Sequence, residues 1–233
     1  MKLELLRQLN AERQARRAAI IITDTATGDQ RLIREDEIAG SDRPDLYRAL
    51  IRTGRSRPLN EEEGGGFATV MVPPPKLVVI GAVHISQALA PMARIAGYDV
   101  TIVDPRTAFA TADRFPGVRL VAEWPDVALP GIGVDRWTAF CALTHDPKID
   151  DPGLIHALDK NCFYIGALGS RKTHARRVER LVQSGIDAAM LSRIKAPIGL
   201  AIGAQSPAEI AVAILAQMTA ALRLEPETAT ETA

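Results

Sequence analysis

Residues 76–104 read KLVVIGAVHISQALAPMARIAGYDVTIVD, and this stretch decides the fold class. The continuous apolar run Leu77–Ile80 is what a strand buried on both faces of a parallel sheet requires. Gly81 then permits a tight turn, residues 84–96 suit a helix, and a second apolar run, Val100–Val103, stops at Asp104. An acid roughly 20 residues beyond the turn is where a dinucleotide-binding unit places its ribose ligand. The glycine fingerprint is altered, however. G-x-G-x-x-G falls on Gly81, Val83 and Ser86, and a β-branched residue at the second position keeps a pyrophosphate from the backbone. The expected fold is α/β, a Rossmann-like doubly wound parallel sheet, with ordinary NAD(P) binding disfavoured by Val83.

On the N-terminal side the pattern changes. Leu3, Leu5, Leu6 and Leu9 form a stripe on a surface helix, and Ala18–Thr23 with Arg31–Ile33 reads as a hairpin around Thr27-Gly28-Asp29. Pro44–Arg52 reads as a helix and Phe67–Val72 as a strand, while Glu61–Gly66 is expected to be an exposed loop with no means of packing. Pro73–Pro75 make a stiff linker. The division so read is a small α+β domain over 1–72, a linker over 73–75, a Rossmann-like domain over 76–224 and a frayed polar tail over 225–233. Within the large domain, further strands are expected at Val118–Val121, Ala139–Leu143 and Phe163–Ile165, with helices at 151–160 and 171–184. Asp150 or Asp151 before Pro152 reads as a helix cap, and Ser206-Pro207 with Glu209 as a capping box opening a helix to Leu222.

Composition excludes several classes. Lys plus Arg and Asp plus Glu are balanced at 28 each, so no global field favours nucleic acid or an anionic membrane. There is no apolar stretch long enough to span a bilayer and the start lacks a signal peptide's apolar centre, so a cytoplasmic location is expected. Cys141 and Cys162 are too few for a disulfide framework or a zinc ribbon and read as buried thiols; a sulfur-relaying Cys162 would need an exposed electropositive setting.

Ligands of open parallel sheets bind beyond the carboxyl ends of the strands. Four such ends carry chemistry: Gly81 with His84, Asp104-Pro105-Arg106, Thr144-His145-Asp146, and Gly166 through Gly169-Ser170-Arg171-Lys172 to Thr173. The last combines flexible glycines, a serine at a helix cap and two cations in the first turn, which suits an anion; it is not a Walker A loop, since Gly166 and Gly169 enclose two residues instead of four. A solvated basic face continued by Arg176, Arg177 and Arg180 is the plainer reading. His145 and Asp146 read as ligand contacts in preference to metal ligands, because no H-E-x-x-H or C-x-x-C accompanies them. His84 either donates to a phosphate or caps its helix. Asp104 and Arg106 form either a ribose acid with a phosphate-reaching arginine or an internal ion pair. His156 and His174 read as surface or packing residues.

Taken in order, Gly81-Ala82-Val83-His84, Val103-Asp104-Pro105-Arg106, Arg114-Phe115-Pro116, Leu143-Thr144-His145-Asp146, Tyr164 through Arg171, and Ala196-Pro197-Ile198-Gly199-Leu200 with Ile202-Gly203-Ala204 resemble the XdhC/CoxI family of xanthine dehydrogenase accessory proteins. The resemblance covers about residues 76–222. It implies a Rossmann-like C-terminal domain and a part in maturing molybdenum hydroxylases such as xanthine dehydrogenase: binding the molybdenum cofactor (molybdopterin) as cargo, supporting its sulfuration by a cysteine desulfurase, and delivering it to the apoenzyme. Two features depart from the family pattern. Gly81-Ala82-Val83-His84 stands where Gly-x-Gly-His is common, and residues 1–72 lack the usual cysteine-containing segment. The expectation is a non-catalytic accessory chaperone holding its cargo through Gly81, His84, Asp104, Arg106, His145, Asp146, Gly166, Gly169, Ser170, Arg171 and Lys172, with no resident metal and with a homodimer left open. The rivals are an NAD(P)-dependent oxidoreductase using Asp104 and Arg106, and an interaction protein with a vestigial pocket.

Overall fold

The computed structural model describes residues 2–224, so the tail expected over 225–233 lies outside the described residues. The chain separates into two compact units, Met1–Pro73 and Pro74–Ala233.

In the first unit, helix α1 (Leu3–Gln14) precedes strands β1 (Ala19–Thr23) and β2 (Gln30–Arg34), a 3-10 turn (Glu35–Gly40), helix α2 (Pro44–Thr53), and strands β3 (Arg57–Pro58) and β4 (Phe67–Met71). The sheet is antiparallel in the order β2-β1-β4-β3. Ile20 sits opposite Ile33 on one side and Val70 on the other, so β1 is flanked on both edges. The leucine stripe of α1 is less exposed than expected, since Leu9 is buried with Ala19 and Ile21. Residues 61–66 also differ from the expectation of an unpacked loop. Asn60 and Glu63 accept each other's backbone N–H, and Arg57 grips Glu63 at 2.6 and 2.7 Å, which holds the Glu63 carboxyl down at about 2. A run of acids and glycines becomes an ordered connection here because one arginine across the turn supplies its counter-charge.

The second unit contains β5 (Lys76–Ile80), α3 (His84–Ile95), β6 (Asp99–Val103), β7 (Arg119–Val121), α4 (Pro125–Ile132), β8 (Thr138–Ala142), α5 (Pro147–Asp159), β9 (Tyr164–Ala167), α6 (Arg171–Gln183), α7 (Ala188–Leu191), β10 (Ile194–Lys195) and α8 (Pro207–Arg223). These six strands run parallel, in the order β10-β9-β8-β5-β6-β7. This is a doubly wound sheet whose order reverses between β5 and β8, the place where ligands of such folds bind. Alternation along β5 divides the core: Leu77 and Val79 face the layer holding Leu89, Ile214 and Met218, while Val78 and Ile80 face the layer holding Leu129, Leu154 and Leu158. With both faces covered, every position of β5 after Lys76 is buried, which explains its unbroken apolar run.

The start of α5 differs from expectation. Asp146 is the cap and Pro147 the first helical residue, so Pro152 lies inside the helix. Pro152 therefore forfeits one backbone bond, and the earlier Asp-Pro pair wins because its cap bond and fixed φ lengthen the helix by a turn. The opening of α8 matches the expected capping box, with Ser206 and Glu209 exchanging bonds at 3.2 and 2.9 Å.

Candidate functional site

The carboxyl ends of β5 and β8 meet at the switch point. Gly81, at φ +114°, lies so near the β8 end that a Cβ there would stand 2.8 Å from Thr144 Cγ2. Only glycine joins these two strands without pushing them apart. The turn after Gly81 is held from three directions: Gly81 N–H donates to the Val103 carbonyl, Ala82 N–H donates to Asp104 Oδ2 at 2.7 Å, and Ser86 Oγ donates to the Gly81 carbonyl.

Asp104 is wholly buried and its acceptor capacity is used within the chain. Oδ1 accepts from Arg106 N and Nε at 2.9 Å each, and Oδ2 accepts from Ala82 N and Arg106 Nη2 at 2.7 Å each. Burial alone would raise this carboxyl, but the Arg106 side chain and the two backbone amides outweigh it and hold it below the usual aspartate range. Four donors occupy about as many lone-pair positions as a carboxylate has, leaving none for a ribose diol. Of the two readings offered for this pair, the geometry is that of the internal ion pair.

Arg114 secures the same turn from the other side. Its Nη1 donates to the carbonyls of Ala82 at 3.0 Å and Phe109 at 2.8 Å, and its Nη2 to Gln87 Oε1 at 3.0 Å. Phe109, 45 % exposed, has Arg106 4.7 Å and Arg114 5.7 Å from its ring centre. Sequence reasoning did not single out either residue for a site role. The one signal in the sequence was Arg114 within the Arg-Phe-Pro motif.

At the β8 end, Asp150 organises the turn from inside α5. Its Oδ1 accepts from Thr144 N and Oγ1 at 3.2 and 2.7 Å, and its Oδ2 from His145 N at 3.0 Å. Burial pushes the Asp150 carboxyl up despite these bonds. This supports the left-handed backbone of His145, φ +66°, and leaves the imidazole in solvent. Asp146 accepts from Lys148 N at 3.0 Å as the cap of α5, while Asp151 pairs with Arg180 at 2.8 Å. Asp150 and Asp151 are thus a turn clamp and an ion-pair partner, and neither is the cap expected of them.

The β9 end is built differently. Gly166 is a buried strand residue, contrary to its reading as part of a flexible loop: a Cβ there would meet Ile198 at 2.6 Å and the Tyr164 hydroxyl at 2.7 Å. Gly169, at φ +134°, makes the turn. Ser170 caps α6 by accepting from Thr173 N at 3.2 Å, and α6 has no acid in its first turn. Arg171 and Lys172 stand exposed beside the leading amides, which have no intrahelical acceptor. His84, at the corresponding position of α3, is exposed, and among the described residues no side chain caps that helix. Val83 is half-buried and packs on the core layer of Leu89. Among the described residues no group of three or more His, Cys, Asp and Glu could hold a metal ion. Both cysteines are buried; burial pushes Cys162 up to about 12 and Cys141 higher still, so neither is a ready nucleophile.

A sequence model of the XdhC Rossmann domain matches residues 77–218, from the first parallel strand through most of α8. The chain belongs to the XdhC family. Among curated XdhC relatives, a protein of Bacillus subtilis described as a probable xanthine dehydrogenase component is 33 % identical over 65 % of this chain and 44 % of its own length. The molybdenum cofactor insertion chaperone PaoD of Escherichia coli is 31 % identical over 70 % of this chain and 44 % of its own. The chain therefore spans less than half the length of these two relatives. A solved structure described as a xanthine dehydrogenase from Bacillus halodurans superposes with a TM-score of 0.67 at 23 % identity, covering 94 % of this chain and 67 % of the other, and shares its fold. Among the described residues no helix is long and apolar enough to cross a membrane.

Proposed function

We propose that this XdhC-family chain retains the molybdenum cofactor at the carboxyl edge of its parallel sheet, supports its sulfuration by a cysteine desulfurase, and passes it to the apoenzyme of a molybdenum hydroxylase. The observation that carries this reading is the contrast between Asp104 and the start of α6. The acid a dinucleotide enzyme would use for ribose is saturated by Arg106 and Ala82, while Arg171, Lys172 and the leading amides of α6 remain available to an anion. A cargo with one phosphate and a polar pterin needs that anion site and a few convergent donors, and it does not need a ribose acid. His84 and His145, both exposed at the same sheet edge, supply donors for the polar ring system or metal oxygens. The buried thiols argue that sulfur comes from the partner desulfurase and does not pass through Cys141 or Cys162. The insertion-chaperone relative in Escherichia coli supports the same reading. Anaerobic incubation with molybdopterin, followed by gel filtration and fluorescence of the oxidised pterin, tests it. Co-elution of pterin with the protein, and activation of an apo-hydroxylase, are expected; tight NAD(P) binding without pterin retention would overturn it.

A further inference from the structure

Arg177 is a buried arginine that the site described above leaves unused. It is 2 % exposed, it lies two turns into α6, and its Nη2 donates to the Leu168 carbonyl at 2.9 Å, two residues before the Ser170 cap. Helical side chains lean toward the N-terminus, and this bond shows that the guanidinium reaches back beneath the 168–170 turn. Its Nε and Nη1 are buried without a hydrogen-bond partner among the described residues, and His174 Nδ1, one turn nearer the cap, is buried and unpartnered as well. The acids closest in charge are already engaged: Asp150 by Thr144 and His145, Asp151 by Arg180. A buried cation with no contacting counter-ion is costly, and its field is not cancelled locally.

We propose that Arg177 is a positioning residue for a phosphate dianion bound at the start of α6, fixing the Leu168–Ser170 turn from below and adding a positive charge that solvent ions do not screen. Arg171 and Lys172 form the outer part of the same site and Arg177 the inner part. The two parts differ in their response to salt. Exposed charges lose most of their attraction when the screening length falls to a few ångströms, while a buried charge keeps its own. The natural ligand is a phosphomonoester, and identifying it with the cofactor's phosphate rests on the reading proposed above.

Titration of the full chain with inorganic phosphate at low and at about 0.5 M sodium chloride separates these parts. R171A/K172A should weaken binding at low salt and converge with wild type at high salt. R177M should weaken it about tenfold at both, as expected of a close charge acting where water does not screen it. R177K, which restores charge, should recover affinity at high salt to within about threefold of wild type. If R177M does not fold by circular dichroism, R177Q, which keeps a donor for the Leu168 carbonyl, takes its place. Unchanged phosphate affinity in a folded neutral variant, an R177K loss as large as that of R177M, or wild-type binding that vanishes at high salt would each overturn the proposal. A second arm asks whether molybdopterin competes with phosphate. Arg177-dependent phosphate binding without such competition would leave the anion site standing and remove the cofactor reading. Pterin retention unchanged in R177M would do the reverse.

Discussion

The ends of β6 and β9 both place arginines near a glycine turn, yet they do opposite things. At β6, Asp104 lies two residues from Arg106, and the pair closes on itself with two side-chain bonds while also fixing Ala82. At β9, no acid lies in the first turn of α6, so Arg171 and Lys172 keep their charge for a ligand. The difference shows that a cation at a strand end is informative about ligands only once its nearest acid has been located. Arg106 serves stability and Arg171 is free to serve binding.

The largest expected effect that could break this comparison is at Asp104. D104A removes a buried acceptor of four bonds and should destabilise the fold by about 3 kcal/mol in chemical denaturation, as removal of one member of a buried ion pair does. A loss below about 1 kcal/mol would mean that the carboxylate is not structural. The same residue has a pH signature. Its folded-state pKa is depressed, so its contribution is fully present above the unfolded value of about 3.9 and is lost as pH falls through the folded one. The stability gap between wild type and D104A should therefore narrow below about pH 4, measured by urea titrations across the acid range.

R114A comes next, at about 1–2 kcal/mol, because it frees the Ala82 and Phe109 carbonyls and Gln87. Faster hydrogen exchange confined to residues 82–87 and 109–115 would locate the loss at this turn. S170A should cost about 1 kcal/mol through the α6 cap, read as a lower thermal midpoint. The smallest effect on stability belongs to R171A/K172A, within about 0.5 kcal/mol as for exposed side chains away from packed or paired groups. A double variant that destabilised the protein as much as D104A would erase the contrast between the two strand ends.

Much of the architecture was legible in the chain because it depends on local pattern. The apolar runs of β5, β6 and β8, the capping box at Ser206 and the hairpin around Gly28 each follow from residue order within a few positions. The parallel, doubly wound character also follows once strands alternate with helices and crossovers share one hand. Site roles were less legible. Asp104 as ribose acid or ion-pair member, Asp150 as cap or turn clamp, and Gly166 as hinge or packing residue are alternatives that look identical in sequence. They separated only when Ala82, Thr144 and Ile198 arrived from elsewhere in the chain. Arg177 makes the same point. In sequence it is one of four arginines between residues 171 and 180, and nothing local marks it. Burial is a property of what packs over a side chain, and in α6 the helix turn that brings Arg177 under Leu168 leaves Arg171 and Arg176 in water. Backbone pattern is set by short-range sterics and burial period, whereas the role of a charged side chain depends on which distant donors and acceptors the fold brings to it.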